Sequence, residues 1–142
     1  MKRFSNWLYK VSTGWVALLG FVVFLLFVVF LLPAQAAGAN TFSGEVGSPD
    51  MSFFYSPQEL YKMAAAYGEE GRQAYIRARF TFDLIWPLAY TFFLGTAISW
   101  TFAVVFPPDK RWRWANLVPF GALVFDYLEN ISTSLVMVRY PA

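Results

Sequence analysis

The stretch GWVALLGFVVFLLFVVFLL at residues 14–32 decides the fold, for it runs nineteen residues without a charged, amide or hydroxyl side chain. A hydrocarbon core of about 30 Å takes about 20 helical residues to cross. Two further runs are as long. Residues 84–108 are twenty-five without a charge, and residues 114–138 are twenty-five with Asp126 and Glu129 alone charged. Three such runs in 142 residues predict an all-α integral membrane protein forming a single membrane domain. The expected spans are about 13–32, 80–106 and 114–138, with an external loop and a short amphipathic helix at the outer interface over 33–79.

The composition agrees. Hydrophobic residues make up 58% and charged ones 14%, against about half and a quarter in ordinary soluble domains. Histidine and cysteine are both absent. That removes the usual haem ligand, the usual neutral-pH acid/base, thiol nucleophiles and thiolate metal sites. No metal and no cofactor is expected. The net charge of +2, from 11 basic and 9 acidic residues, is too even to imply nucleic acid as a partner.

Loop charges set the expected orientation. Lys2, Arg3 and Lys10 precede the first run, and Lys110, Arg111 and Arg113 separate the second from the third. These segments should face the cytoplasm, with the near-neutral 33–79 segment and the C-terminus outside the inner (cytoplasmic) membrane. Trp7, Trp15, Trp100, Trp112 and Trp114 would form the inner aromatic belt and Trp86 would lie towards the outer one. The N-terminus also imitates a secretory signal, with Ala34-Gln35-Ala36 after the apolar run. Signal cores run about 7–15 residues, so an uncleaved anchor is expected.

Within 33–79, residues 34–55 are rich in Gly, Ser, Ala and Pro and read as an irregular loop. Its Phe42, Phe53, Phe54 and Tyr55 are costly to leave in water, so the loop should pack on the membrane, a partner or its own helices. Ser56, Pro57 and Glu59 then make a helix start with a capping box. Leu60, Met63, Ala64 and Tyr67 follow as one apolar stripe. The polar face is not basic, which favours packing over lipid sensing. Gly68 and Gly71 should end this helix, and a second should begin near Arg72 and run unbroken into the membrane.

Ionisable residues inside a membrane mark candidate sites, because each is costly unless paired or hydrated. Asp126, Asn130 and Thr133 share a face of the third run, with Glu129 beside it. Asp83 opens the second run, with Pro87 and Tyr90 on its face. Pro87 removes one backbone hydrogen bond and frees a carbonyl near Asp83. Arg79, one turn earlier, and Arg139, at a similar height on the third helix, are candidate ion-pair partners for Asp83. Counting about 1.5 Å per residue from the outer boundary places Tyr90 level with Glu129 and Asn130, Asp126 just below and Asp83 above. Two readings stay open. One is a polar pocket open to the outside for a small ligand, lipid or quinone. The other is a polar clamp fixing how two helices pack.

The strings YGEEGR (67–72), DLIWPLAY (83–90) and DYLEN (126–130) resemble a group of small bacterial integral membrane proteins, over about residues 52–140. The resemblance implies the same polar positions and brings no activity, substrate or cofactor with it. Subtraction then leads to an expected role as a small accessory or structural subunit of a larger membrane assembly, respiratory or photosynthetic. Its partners would be the bilayer and other membrane subunits, or a second copy of itself. The alternative is a binding or transport protein using the intramembrane carboxylates. An enzyme acting on lipid or isoprenoid rests on the carboxylates alone and ranks last.

Overall fold

The computed structural model describes residues 1–141 except 44–46, 50–51 and 53, and the side chains of 39, 40 and 43 are likewise outside the description. Phe53, named above in the external segment, and its acidic residues Glu45 and Asp50 therefore lie outside the described residues. Among those described, every regular element is a helix. The order is α1 (Lys2–Val11), α2 (Gly14–Leu26), a π turn (Phe27–Leu31), α3 (Leu32–Ser43), α4 (Pro57–Arg79), α5 (Phe82–Val105), a 3₁₀ segment (Arg111–Leu117) and α6 (Val118–Arg139).

Two segments are long and apolar enough to cross a membrane: Gly14–Gly38, with mean hydropathy 3.1, and Pro57–Val105, with 1.6. The apolar part of the second is α5. At 22 residues α6 is long enough, but Asp126, Glu129, Asn130 and the hydroxyls at 132–134 keep it from matching those two in apolarity.

The chain gathers into two compact units, Met1–Val29 with Ile85–Asp126, and Phe30–Leu84 with Tyr127–Ala142. In the first, α2 and α5 lie against each other through aromatic rings. Phe93 meets Phe21 and Phe24 at 5.4 and 5.1 Å between centroids, and Trp86 stacks on Phe24 and Phe27 at 5.6 and 5.8 Å. Trp86 is thus a packing residue between helices. The backbones come close at Gly20, where a Cβ would stand 3.0 Å from Phe93 Cα. Helix α1, which the composition of the N-terminus had not suggested, buries Ser5 and Leu8 and exposes Lys2, Arg3, Phe4, Trp7 and Lys10.

In the second unit the core is Leu60, Ala64, Tyr67, Tyr75 and Met137. The expected stripe is there: Leu60, Met63, Ala64 and Tyr67 are all buried. So is the capping box, with Ser56 Oγ accepting from the Glu59 N–H at 3.2 Å and Glu59 Oε2 accepting from the Ser56 N–H at 2.6 Å. The backbone N–H of Ser56, then its hydroxyl, hold the Glu59 carboxyl below the usual carboxylate range.

Three expectations are corrected here. Residues 33–43 are helical and not an irregular loop. Pro33 cannot donate to the carbonyl four residues back, and the wider π turn falls just before it, where the ladder loses that donor. Phe42 of α3 then packs on Gly71, whose missing Cβ would lie 3.0 Å from Phe42 Cβ. Tertiary contact here overrides weak local preference. Second, the chain breaks at 80–81, in a turn between α4 and α5, where a continuous helix was expected. Third, the 3₁₀ segment delays α6 to Val118, so the stretch expected from 114 starts four residues late.

The bend at Gly68 is where the reading was right. Its φ of 62° and ψ of −176° divide α4 in two, a conformation open to glycine almost alone. Arg72 Nη1 closes the bend by donating to the Ala64 carbonyl at 3.0 Å. Nothing stands within 4 Å of a Cβ at Gly68, so Gly68→Ala tests the backbone alone. Unfolding in detergent should show a loss of about 1–3 kcal/mol, and an unchanged midpoint would contradict the bend.

Candidate functional site

The polar residues singled out from the sequence are divided between the two units. In the Phe30–Leu84 and Tyr127–Ala142 unit, Arg79 is the hub. Its Nε lies 2.9 Å from Asp83 Oδ2, with both side chains largely buried at 12% and 11% exposure. Its Nη1 donates to Asn130 Oδ1 at 3.4 Å. Its guanidinium stands 4.5 Å from the centroid of the Tyr75 ring, at a distance where the ring face attracts a cation. One cation therefore joins the end of α4, the start of α5 and the middle of α6. The i, i+4 spacing puts Asp83 one turn after Arg79, which is why this pair was readable in advance.

Glu129 has a partner that the spacing along the sequence did not indicate. It is exposed, and Tyr55 donates to its Oε1 at 2.7 Å, fastening the segment before α4 to α6. Thr133 is buried at 2% exposure, but its hydroxyl bonds the Glu129 and Asn130 carbonyls of its own helix, at 3.0 and 3.3 Å. That is the local bond a helical threonine makes. It spends the one proton of the Thr133 hydroxyl within α6. Arg139 is exposed and makes no ion pair among the described residues, so Asp83 pairs with Arg79 and not with it.

The carbonyl freed by proline has a neighbour that the sequence did not reveal. Pro87 is buried, and Tyr127 donates to the Leu84 carbonyl, next to that of Asp83, at 2.8 Å. Tyr127 follows Asp126 directly and so points away from the face on which Asp126, Asn130 and Thr133 were aligned. That is why it was passed over.

In the Met1–Val29 and Ile85–Asp126 unit, Tyr90 donates to Asp126 Oδ2 at 3.1 Å, and the Tyr90 ring meets Trp86 edge-on at 5.6 Å. The counting of heights had set Asp126 just below Tyr90, and a hydrogen bond joins the two. The same unit holds a site missed altogether. Asn116 is 0% exposed. Its Nδ2 donates to the Ser5 carbonyl at 3.2 Å and to Ser99 Oγ at 3.1 Å, and its Oδ1 accepts from Ser5 Oγ at 2.8 Å. Beside it Tyr9 donates to the Arg113 carbonyl at 2.6 Å, under the Arg113 guanidinium at 3.8 Å. Burial pushes the Tyr9 hydroxyl above its usual pKa, partly countered by Arg113. A lone asparagine in the apolar, aromatic stretch 114–120 was the signal available for this node.

Chemically, these groups hold helices together. Asp83, Asp126 and Glu129 each engage a side chain of the same chain, in a hydrogen bond or an ion pair. No protein-family model, curated protein or solved structure matches this chain.

Proposed function

We propose that the chain is a three-span integral membrane protein of the inner membrane, N-terminus cytoplasmic and C-terminus outside, that serves as a small accessory or structural subunit of a larger membrane assembly. The spans are the helix from Gly14, α5 and α6, and the first half of α4 lies at the outer interface. The length of α6 supports the third span, since 22 residues reach about 33 Å at ~1.5 Å each. The basic segments on either side of the first two spans support the orientation.

The observation that carries the subunit role is the engagement of the intramembrane carboxylates with the chain's own side chains: Asp83 with Arg79, Asp126 with Tyr90 and Glu129 with Tyr55. Carboxylates so engaged fasten helices, which favours the clamp over the ligand pocket. A groove of about 630 Å³ on the chain is lined by none of them. The first span supports partners as well. Only 11% of its apolar window is buried, and Phe21, Leu26 and Phe30 stand open at 42%, 50% and 65%. Such faces suit lipid and the helices of neighbouring subunits.

Extraction of the native membrane in mild detergent, followed by native electrophoresis, tests this. The chain should migrate with larger membrane proteins and release them only under harsher detergent. Recovery alone and monomeric would sink the reading.

A further inference from the structure

The Met1–Val29 and Ile85–Asp126 unit carries a surface that the clamp does not use. The groove of about 630 Å³ runs between α2 and α5, floored by Ala17 and Ala97 and walled by Phe21, Phe93, Trp15 and Trp100. It holds roughly twenty groups of water size at ~30 Å³ each, and a methylene is of that size. At one end Gly14 lies against Trp100, where a Cβ would come within 3.3 Å of the indole. The basic helix α1 ends three residues before Gly14.

That neighbourhood is charged. Lys2, Arg3, Lys10, Lys110, Arg111 and Arg113, with Asp109, hold six of the chain's eleven basic residues and one of its nine acidic ones. The Ser5–Asn116 and Tyr9–Arg113 hydrogen bonds fix α1 on the 3₁₀ segment, so the two basic stretches form one surface. Trp7 and Trp112, exposed at 53% and 68%, stand among these cations. Indole rings beside cations are the arrangement expected at a lipid headgroup layer.

We propose that this groove and its basic end bind one anionic glycerophospholipid, an acyl chain along Ala17 and Ala97 and the phosphate against α1 and Lys110–Arg111. An apolar chain alone accounts for the groove but not for the cations beside it. A zwitterionic headgroup brings its own positive charge to a surface already rich in it. The anionic lipid answers both halves of the site. This inference rests on the membrane reading above.

The test reconstitutes the full chain in phosphatidylcholine vesicles and titrates in brominated-chain phosphatidylglycerol or brominated-chain phosphatidylcholine, reading tryptophan fluorescence. Phosphatidylglycerol should quench at several-fold lower mole fraction. The triple variant Lys2→Gln, Arg3→Gln, Lys10→Gln changes exposed side chains only and should reduce that preference by at least half. Ala97→Leu should weaken quenching by both lipids. Equal quenching by the two lipids on the unaltered chain overturns the lipid site and leaves the membrane reading standing. Absence of quenching by either lipid overturns both. A preference unchanged in the triple variant overturns the assignment of the phosphate to α1.

Discussion

Replacing Arg79 with leucine is expected to lower the stability of the chain in detergent by about 3–5 kcal/mol, the usual cost of removing one partner of a buried ion pair. Asp83 is 8% exposed as a residue, and without Arg79 its carboxylate loses the cation 2.9 Å away. Asn130 loses a donor and the Tyr75 ring loses its cation in the same change. Arg79→Lys should recover only part of the loss, since one ammonium cannot face Asp83, Asn130 and the ring together as a planar fork does. Arg79→Leu with Asp83→Leu should be far milder than Arg79→Leu alone, because no charge is left stranded. Equilibrium unfolding of the two single variants and the double variant closes the cycle. A coupling near zero, or an Arg79→Leu loss within the ±0.5 kcal/mol typical of surface sites, would remove the hub from the clamp.

The parts of this arrangement that were legible in the sequence share one property, which is that they are local. The Ser56–Glu59 box, the stripe from Leu60 to Tyr67, the Gly68 bend and the Arg79–Asp83 pair each lie within a turn or two of helix, where spacing dictates geometry. What escaped lies far apart along the chain. Tyr55 and Glu129 are 74 residues apart, and Ser5 and Asn116 are 111 apart. No period along the sequence brings such pairs together. The helix α3 was misread because Pro33, Gly38 and Asn40 are loop-forming types. Phe42 against Gly71 supplies a packing contact that composition does not reveal.

The second large effect is expected at Asn116. Asn116→Ala leaves the Ser5 carbonyl, the Ser5 hydroxyl and the Ser99 hydroxyl without this partner in a site where Asn116 and Ser99 are 0% exposed and Ser5 is 4% exposed. Each buried polar group left unsatisfied costs about 1–3 kcal/mol. Ser99→Ala removes one bond and should cost about 1 kcal/mol, so the asymmetry between the two variants measures the node itself. The loss should also be local. Asn116 and Arg113 are the anchors of α1, and a weakened anchor should let α1 open before the rest of the chain unfolds. Trypsin sites at Lys2, Arg3 and Lys10 should then be cut faster in Asn116→Ala, while cleavage at Arg77 stays as in the unaltered chain. Equal acceleration at Arg77 would mean that Asn116 supports the whole fold rather than the docking of one helix. No acceleration at all would mean that α1 is held by Tyr9 and Leu8 and that the asparagine merely fills its place.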